Sequence, residues 1–322
     1  MRDPSIAWVL GGLVVLAGPV WAQNAPSGGQ GGEGTVKKED VQTWILNTDG
    51  QDYEAHPMTP AYDGETGLFN MSTAYTLPKN GFSIQGYRDT LSRSPKDQAI
   101  SMYGVSGAYG VMSNLEIFGR IDFLTTNDVD LNSQGGFASE FPFAGSNHLL
   151  QNETYDSGFG DVKLGAKYKF LDDYRTDSLG LALRAYVKIG SADNTLGLGT
   201  GEASFGGDLV LSKRIGWDAD IHASVGYVFN SDPDGVLVQT KSIPPIYGPA
   251  SPGGSTGLGI GNAFKWGIGV NIPACKKVQV QAEVTGYAYS GDVFHQDNPI
   301  DIVIGPVVYF SPGIFARAAL YV

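Results

Sequence analysis

Four histidines, His56, His148, His222 and His295, are the first places to look for chemistry. None stands at zinc-ligand spacing from another histidine or from the single cysteine, Cys275. Asp218-x-Asp220-x-His222 puts three polar groups on one face of a strand, because side chains alternate with a period of two. Such a triplet could hold a metal or relay a proton, but a solvated wall would carry the same pattern. Asn127, Asp128 and Asp130 offer oxygen ligands of the kind calcium takes, without the full loop pattern. Gly197 to Gly201 (GLGTG) could suggest a phosphate loop, yet no helix pattern follows it and its lysine is missing, so a surface loop is expected. No serine sits in a nucleophile elbow. Cys275 lies in Pro273-Ala274-Cys275-Lys276-Lys277, a tight turn with no histidine nearby, and reads as a bystander. The sequence therefore nominates no catalytic residue, no metal site and no cofactor, and an enzyme is not expected.

The polar residues must then be placed by something other than an active site. The 322 residues include 45 glycines, 16 tyrosines and 15 phenylalanines, with 42% hydrophobic and 17% charged residues. Glycine at this frequency argues against a helix-rich fold, since each costs about 1 kcal/mol in a helix interior. Glycine with aromatics suits a barrel, where rings line the membrane interfaces and glycine relieves crowding where strands bend. A net charge of -12 argues against nucleic acid as a partner, which needs clustered Lys and Arg.

The N-terminus reads as an export signal. Arg2 gives a short basic region, Ile6 to Val20 is apolar or small, and Val20-Trp21-Ala22 fits cleavage before Gln23. The run is shorter than the ~20 residues a spanning helix needs. Residues 1–22 are thus expected as a signal peptide. Residues 23–65, with Ser27 to Gly34 as a glycine-rich tether, are expected as a disordered, flexible periplasmic lead-in or a plug threaded into a barrel. The barrel itself is expected over 66–322.

From Thr66 onward, alternation predicts twelve strands: 66–77, 82–90, 97–111, 114–124, 157–170, 177–190, 203–214, 217–230, 262–272, 276–290, 299–310 and 313–322. Val162, Leu164, Ala166, Tyr168 and Phe170 share one face, against Asp161, Lys163, Lys167 and Lys169 on the other. The apolar faces run unbroken for about 10 residues, the length that crosses a hydrocarbon core at barrel tilt. Short connections such as Pro78–Gly81 and Met112–Ser113 alternate with long polar ones such as 125–156 and 231–260, the outer-membrane pattern. The fold class is therefore all-β, an antiparallel transmembrane β-barrel of about 12 strands. The parity is awkward, because a strand at 66–77 would enter from the outer side; 66–77 being partly luminal is one way out.

On this reading the polar face lines the lumen. The candidate lumen residues are Glu116, Arg120 and Asp122 on 114–124, and Asp161, Lys163, Lys167 and Lys169 on 157–170. Arg184 and Lys188 follow on 177–190, Asp208 and Arg214 on 203–214, and Asp218, Asp220 and His222 on 217–230. Glu283 and Arg317 complete the set, with Lys265, Lys277 and Asp301 beside them. Basic residues concentrate on 163–188. Mixed signs allow charge pairs across the lumen or a polar channel lining. Leu183→Arg should impair assembly on the lipid face, whereas Lys167→Leu should be tolerated.

Ser157-Gly158-Phe159-Gly160-Asp161-Val162-Lys163-Leu164-Gly165-Ala166-Lys167-Tyr168-Lys169-Phe170 resembles a recurring segment of an outer-membrane barrel family, the one named for the MetA pathway of phenol degradation. Lys188-Ile189-Gly190-Ser191-Ala192-Asp193 and the glycine-rich run to Gly201 are also similar to that family. Thr66-Gly67-Leu68-Phe69-Asn70-Met71 to Leu77-Pro78-Lys79-Asn80-Gly81 resembles the first hairpin of related barrels. The resemblance implies an outer-membrane channel for hydrophobic or aromatic compounds, and carries over no binding residues. The expected partners are outer-membrane lipid and small solutes. A non-transporting structural or adhesion barrel and a soluble secreted β protein stay open as alternatives.

Overall fold

The computed structural model describes residues 13–14, 59–93, 98–130, 153–171, 179–193, 198–215, 219–231, 261–274, 277–290, 298–311 and 314–321. Their strands form one antiparallel sheet. A two-residue strand β1 (Leu13–Val14) is followed by β2 (Phe82–Arg93), β3 (Gln98–Met112), β4 (Leu115–Asp130), β5 (Glu153–Gly158), β6 (Val162–Leu171) and β7 (Gly180–Ile189). Then come β8 (Ser204–Ile215), β9 (Ala219–Asn230), β10 (Asn262–Ile272), β11 (Val278–Ser290), β12 (Ile300–Ser311), β13 (Ile314–Arg317) and β14 (Leu320–Tyr321). No helix among the described residues is long and apolar enough to cross a membrane.

From β2 onward, neighbours in sequence are neighbours in the sheet, the order expected of an up-and-down barrel. β5 and β6 are two halves of one stave. β5 pairs with Thr125–Asp130 of β4 and β6 with Leu115–Ile121. The break between them stays attached, because the Gly160 amide donates to the Asp122 carbonyl at 2.8 Å. β13 and β14 likewise both pair with β12. Eleven of the twelve expected strands are thus present.

Two expectations need correction. The strand expected at 114–124 runs on to Asp130, so Asn127, Asp128 and Asp130 belong to a ladder and not to a calcium-type loop. β4 has 16 residues, longer than a tilted strand needs to cross the apolar band. The ladder continues where apolar alternation stops, because backbone pairing does not depend on the side-chain pattern. The second correction concerns 66–77, which is not a strand of the sheet. It lies inside the curl with 59–65, tied to itself by isolated bridges at Pro60–Thr66 and Gly67–Ser72. The chain then leaves through Pro78–Gly81, where the Gly81 amide donates to the Pro78 carbonyl at 2.8 Å and Asn80 takes φ 63°. It enters β2 from the short-turn end, which removes the parity problem at the start of the sheet.

The faces of the sheet are inverted relative to a water-soluble protein. Leu164 (49%), Leu183 (46%) and Ile268 (58%) are exposed, while Glu116 and Lys167 (both 0%) and Arg184 (1%) are buried. A soluble protein almost never buries such charges unless they are paired. The exposed apolar strands carry ring pairs at their ends, Tyr168 with Phe170 and Tyr227 with Phe229, edge to face at 4.9 and 4.8 Å. The backbone ladder does not run directly from the first long strand to the last; Leu13 and Val14 pair with Arg317 and Ala316 of β13. Side chains nevertheless join the two ends. Tyr87 of β2 packs with Val307, Tyr309 and Phe315, and Arg317 of β13 donates to Gln85 of β2 at 3.0 Å.

Candidate functional site

The polar face of the sheet closes around residues 59–77. Every residue of that segment is buried except Tyr62 and Asn70, which are half-buried. A segment so enclosed must have its backbone groups satisfied by the wall. The wall does this by polarity: its acids take amides and its bases take carbonyls.

Glu116 of β4 accepts the amides of Thr66 (3.0 Å) and Leu77 (2.9 Å) and pairs with Lys167 of β6 at 2.9 Å. Lys167 in turn donates to the Thr66 carbonyl at 2.7 Å. Across the interior, Glu283 of β11 accepts the successive amides of Asn70 (2.7 Å) and Met71 (3.0 Å), one on each oxygen. Arg317 donates to the Leu68 carbonyl at 2.7 Å, and Gln85 to the Ala61 carbonyl at 2.5 Å. Ser212 of β8 accepts the Ala74 amide at 2.8 Å and holds the His222 Nδ1 at 2.8 Å. The His222 ring also meets Tyr75 edge-on at 5.8 Å.

The segment's own charges enter an ion-pair network. Asp63 touches Arg120 of β4 (2.9 Å), Lys163 of β6 (2.9 Å) and Arg184 of β7. Arg184 also meets Glu65 (2.8 Å) and Asp208 (2.5 Å), Arg120 meets Asp122 (3.2 Å), and Lys265 meets Asp208 (3.6 Å). The Arg184 Nε and Glu65 Oε1 are in ionic contact without hydrogen-bond alignment, so that pair is held by charge. Burial pushes the Asp63 carboxyl up, but Lys163, Arg120 and Arg184 together hold it well below the usual carboxylate range. For Glu65 burial wins over the pull of Arg184, and its carboxyl is raised.

Aromatic rings sit against these cations. Arg120 lies over the Tyr62 ring at 4.2 Å, and Arg184 lies over Phe118 and Tyr186 at 5.0 and 4.5 Å. Glycines let the segment approach the wall. A Cβ on Gly64, itself at φ 105°, would stand 2.6 Å from Gly107 and 2.8 Å from Gly119. One on Gly269 would stand 2.3 Å from Leu68. The cavity at the seam of the sheet is about 50 Å³, lined by Tyr62, Phe69, Tyr87, Arg317 and Tyr321 among others.

Of the candidate lumen residues, Glu116, Arg120, Asp122, Asp161, Lys167, Arg184, Asp208, Asp220, His222, Glu283 and Arg317 are buried. Lys163, Lys169, Lys188 and Arg214 are half-buried, and Asp218 lies outside the described residues. The structure brings together Arg120, Asp122, Lys163, Arg184 and Asp208. It leaves other pairs separate: Lys188 with Asp161 at 2.7 Å, and Arg214 with Asp220 at 2.9 Å. Asp220 and His222 thus serve different partners, not one metal. Lys277 is exposed at a turn. His56, His148, His295 and Cys275 lie outside the described residues. In the glycine run, Leu198 is buried and Thr200 accepts from Lys188 at 2.6 Å. Lys167→Leu is not a neutral change, because it would strand Glu116 without its cation.

Sequence reasoning missed Asp63 and Glu65. A usable signal was the excess of bases on 163–188, which needed counter-charge from elsewhere in the chain. The acids in Tyr62-Asp63-Gly64-Glu65-Thr66-Gly67 supply it.

A family model with the description "Putative MetA-pathway of phenol degradation" matches residues 104–316, more than half of the chain. The chain belongs to this family. The match begins within β3, so the inserted segment and β2 lie outside the part shared with the family model. No curated protein matches the chain. Among solved structures, the CymD monoaromatic hydrocarbon channel aligns with a TM-score of 0.36 and 9% identity, covering 74% of this chain and 76% of that one.

Proposed function

We propose that the protein is an outer-membrane β-barrel channel for passive passage of small solutes, with residues 59–77 as its plug. The observation that carries this reading is the inversion of the sheet, apolar side chains outward and paired charges inward. In a bilayer, strands satisfy their backbone only within a sheet, and their outward side chains must be apolar. Residues 1–22 are the export signal in this reading, and cleavage before Gln23 would remove β1. Aromatic or other hydrophobic solutes are proposed from the family's link to phenol degradation. A transporter, not an enzyme, follows from the same two supports.

A second reading has its own observation. The interior is filled by 59–77, which would also suit a barrel that transports nothing. Flux separates the two. The full-length protein, refolded into liposomes, is expected to shift on a gel only after boiling and to let arabinose in faster than protein-free liposomes do. A heat shift without flux would favour the structural barrel. Release from cells without detergent and no heat shift would remove the membrane reading altogether.

A further inference from the structure

The ion-pair network balances only when the plug is in place. Among the described residues its cations are Arg120, Lys163, Arg184 and Lys265, and its anions are Asp63, Glu65, Asp122 and Asp208. Two of the four anions, Asp122 and Asp208, belong to the wall. The other two belong to the plug. With the plug displaced, the wall alone would carry four cations against two anions. Two positive charges would then face the lumen in a place partly shut off from water, where Coulomb attraction is stronger than in bulk solvent.

The plug fills this place in a particular way. Tyr62 lays its ring over Arg120 at 4.2 Å, and the next residue, Asp63, gives its carboxylate to Arg120, Lys163 and Arg184. Two further rings, Phe118 and Tyr186, belong to the wall and stay behind, both against Arg184. A ring and a carboxylate side by side are what an aromatic carboxylate carries in one small molecule. Guanidinium groups suit it on both counts, through paired hydrogen bonds to the carboxylate and stacking on the ring.

We propose that Arg120, Lys163 and Arg184, with Phe118 and Tyr186, form a wall site for a small aromatic carboxylate, which Tyr62 and Asp63 occupy in the plugged state. Solute and plug then compete for the same cations. Binding of the anion favours the displaced plug, because a ligand shifts an equilibrium by its differential affinity for the two states. This rests on the channel reading for its role in transport, but the site itself can be tested without flux.

The test is calorimetric titration of the detergent-purified full chain with benzoate, and with benzamide as the uncharged analogue. Wild type is expected to bind benzoate weakly, because Asp63 competes. Asp63→Asn is expected to bind benzoate at least tenfold more tightly, with benzamide unchanged. Equal benzoate binding by the two proteins, or an equal gain for benzamide, would overturn the site. Asp63→Asn leaves three cations without their shared partner and could fail to assemble. Lys163→Gln covers that case: it is expected to weaken wild-type benzoate binding at least fivefold, and unchanged binding would overturn the site. Arabinose flux without benzoate binding would remove the carboxylate site and leave the channel standing. Benzoate binding without flux would leave the site and remove the channel.

Discussion

The plug is gripped differently on its two sides. Toward β4, β6 and β7 the wall holds side-chain charge, Asp63 and Glu65 against Arg120, Lys163 and Arg184, in addition to the backbone of Thr66 and Leu77 held by Glu116 and Lys167. Toward β10, β11 and β13 it holds backbone: Glu283 on two amides, Arg317 on a carbonyl, and Gly269 against Leu68. The ionic side depends on particular plug side chains, and a soluble anion could replace them. The backbone side would accept almost any sequence of the same shape. On the proposed reading the first side can select a solute, while the second can only seat a chain.

The sharpest way to break this comparison is Arg184→Met. It strips a buried cation from Asp63, Glu65 and Asp208 together, and removing one partner of a buried pair typically costs about 3–5 kcal/mol. The gel-shift melting temperature of the folded barrel should fall by more than for any substitution on the other side. Next comes Gly64→Ala. A side chain at φ 105° is strained by roughly 1–3 kcal/mol before it meets Gly107 and Gly119. Amide exchange of 59–77 should speed up while exchange in β8 to β11 stays slow. On the backbone side, Glu283→Gln keeps one acceptor and converts the other to a donor facing an amide. The expected loss is about 1–3 kcal/mol, smaller than for Arg184→Met. If the two sides melt alike, the contrast between them is wrong.

The sheet was largely legible in the sequence because a strand with one apolar and one polar face writes both into a period of two. Leu164, Leu183 and Ile221 alternate with Lys163, Arg184 and Asp220, and each set falls on its expected side. The plug was legible only in part, as one reading of 23–65 and as a way out of the parity conflict at 66–77, and its extent was hidden for a physical reason. Leu68 beside Phe69, and Ala74 beside Tyr75, put apolar groups on both faces of 66–77, because the segment is buried on both. Its β-forming residues suggested a strand, and the signs against one were its missing alternation and the parity conflict it created. Asp63 and Glu65 were hidden in a stretch that reads as loop, since acids between glycines look solvated until the wall that surrounds them is known. The upper half of β4 escaped because its polar residues are paired through backbone, which leaves no mark on side-chain pattern.

The smallest predicted effect sharpens the comparison by its persistence. Asp63 has its folded-state carboxyl held below the usual range by Lys163, Arg120 and Arg184, in spite of burial. A depressed carboxyl contributes stability above its unfolded value, near 3.9, and loses it only as pH falls through the lower folded value. Between pH 7.5 and pH 5 the group stays ionised in both states. The penalty of Asp63→Asn should therefore not fade across that window; because the Asp63 charge also helps to raise Glu65, it holds or grows as pH falls. Glu65 moves the other way: its raised carboxyl favours the fold increasingly as pH falls toward its unfolded value, because protonation relieves its burial while giving up its charge contact with Arg184. Melting both proteins in parallel at pH 7.5, 6 and 5 measures the difference directly. A penalty that faded toward pH 5 would mean that Asp63 titrates there, and that the three cations do not converge on it as the ionic side of the seat requires.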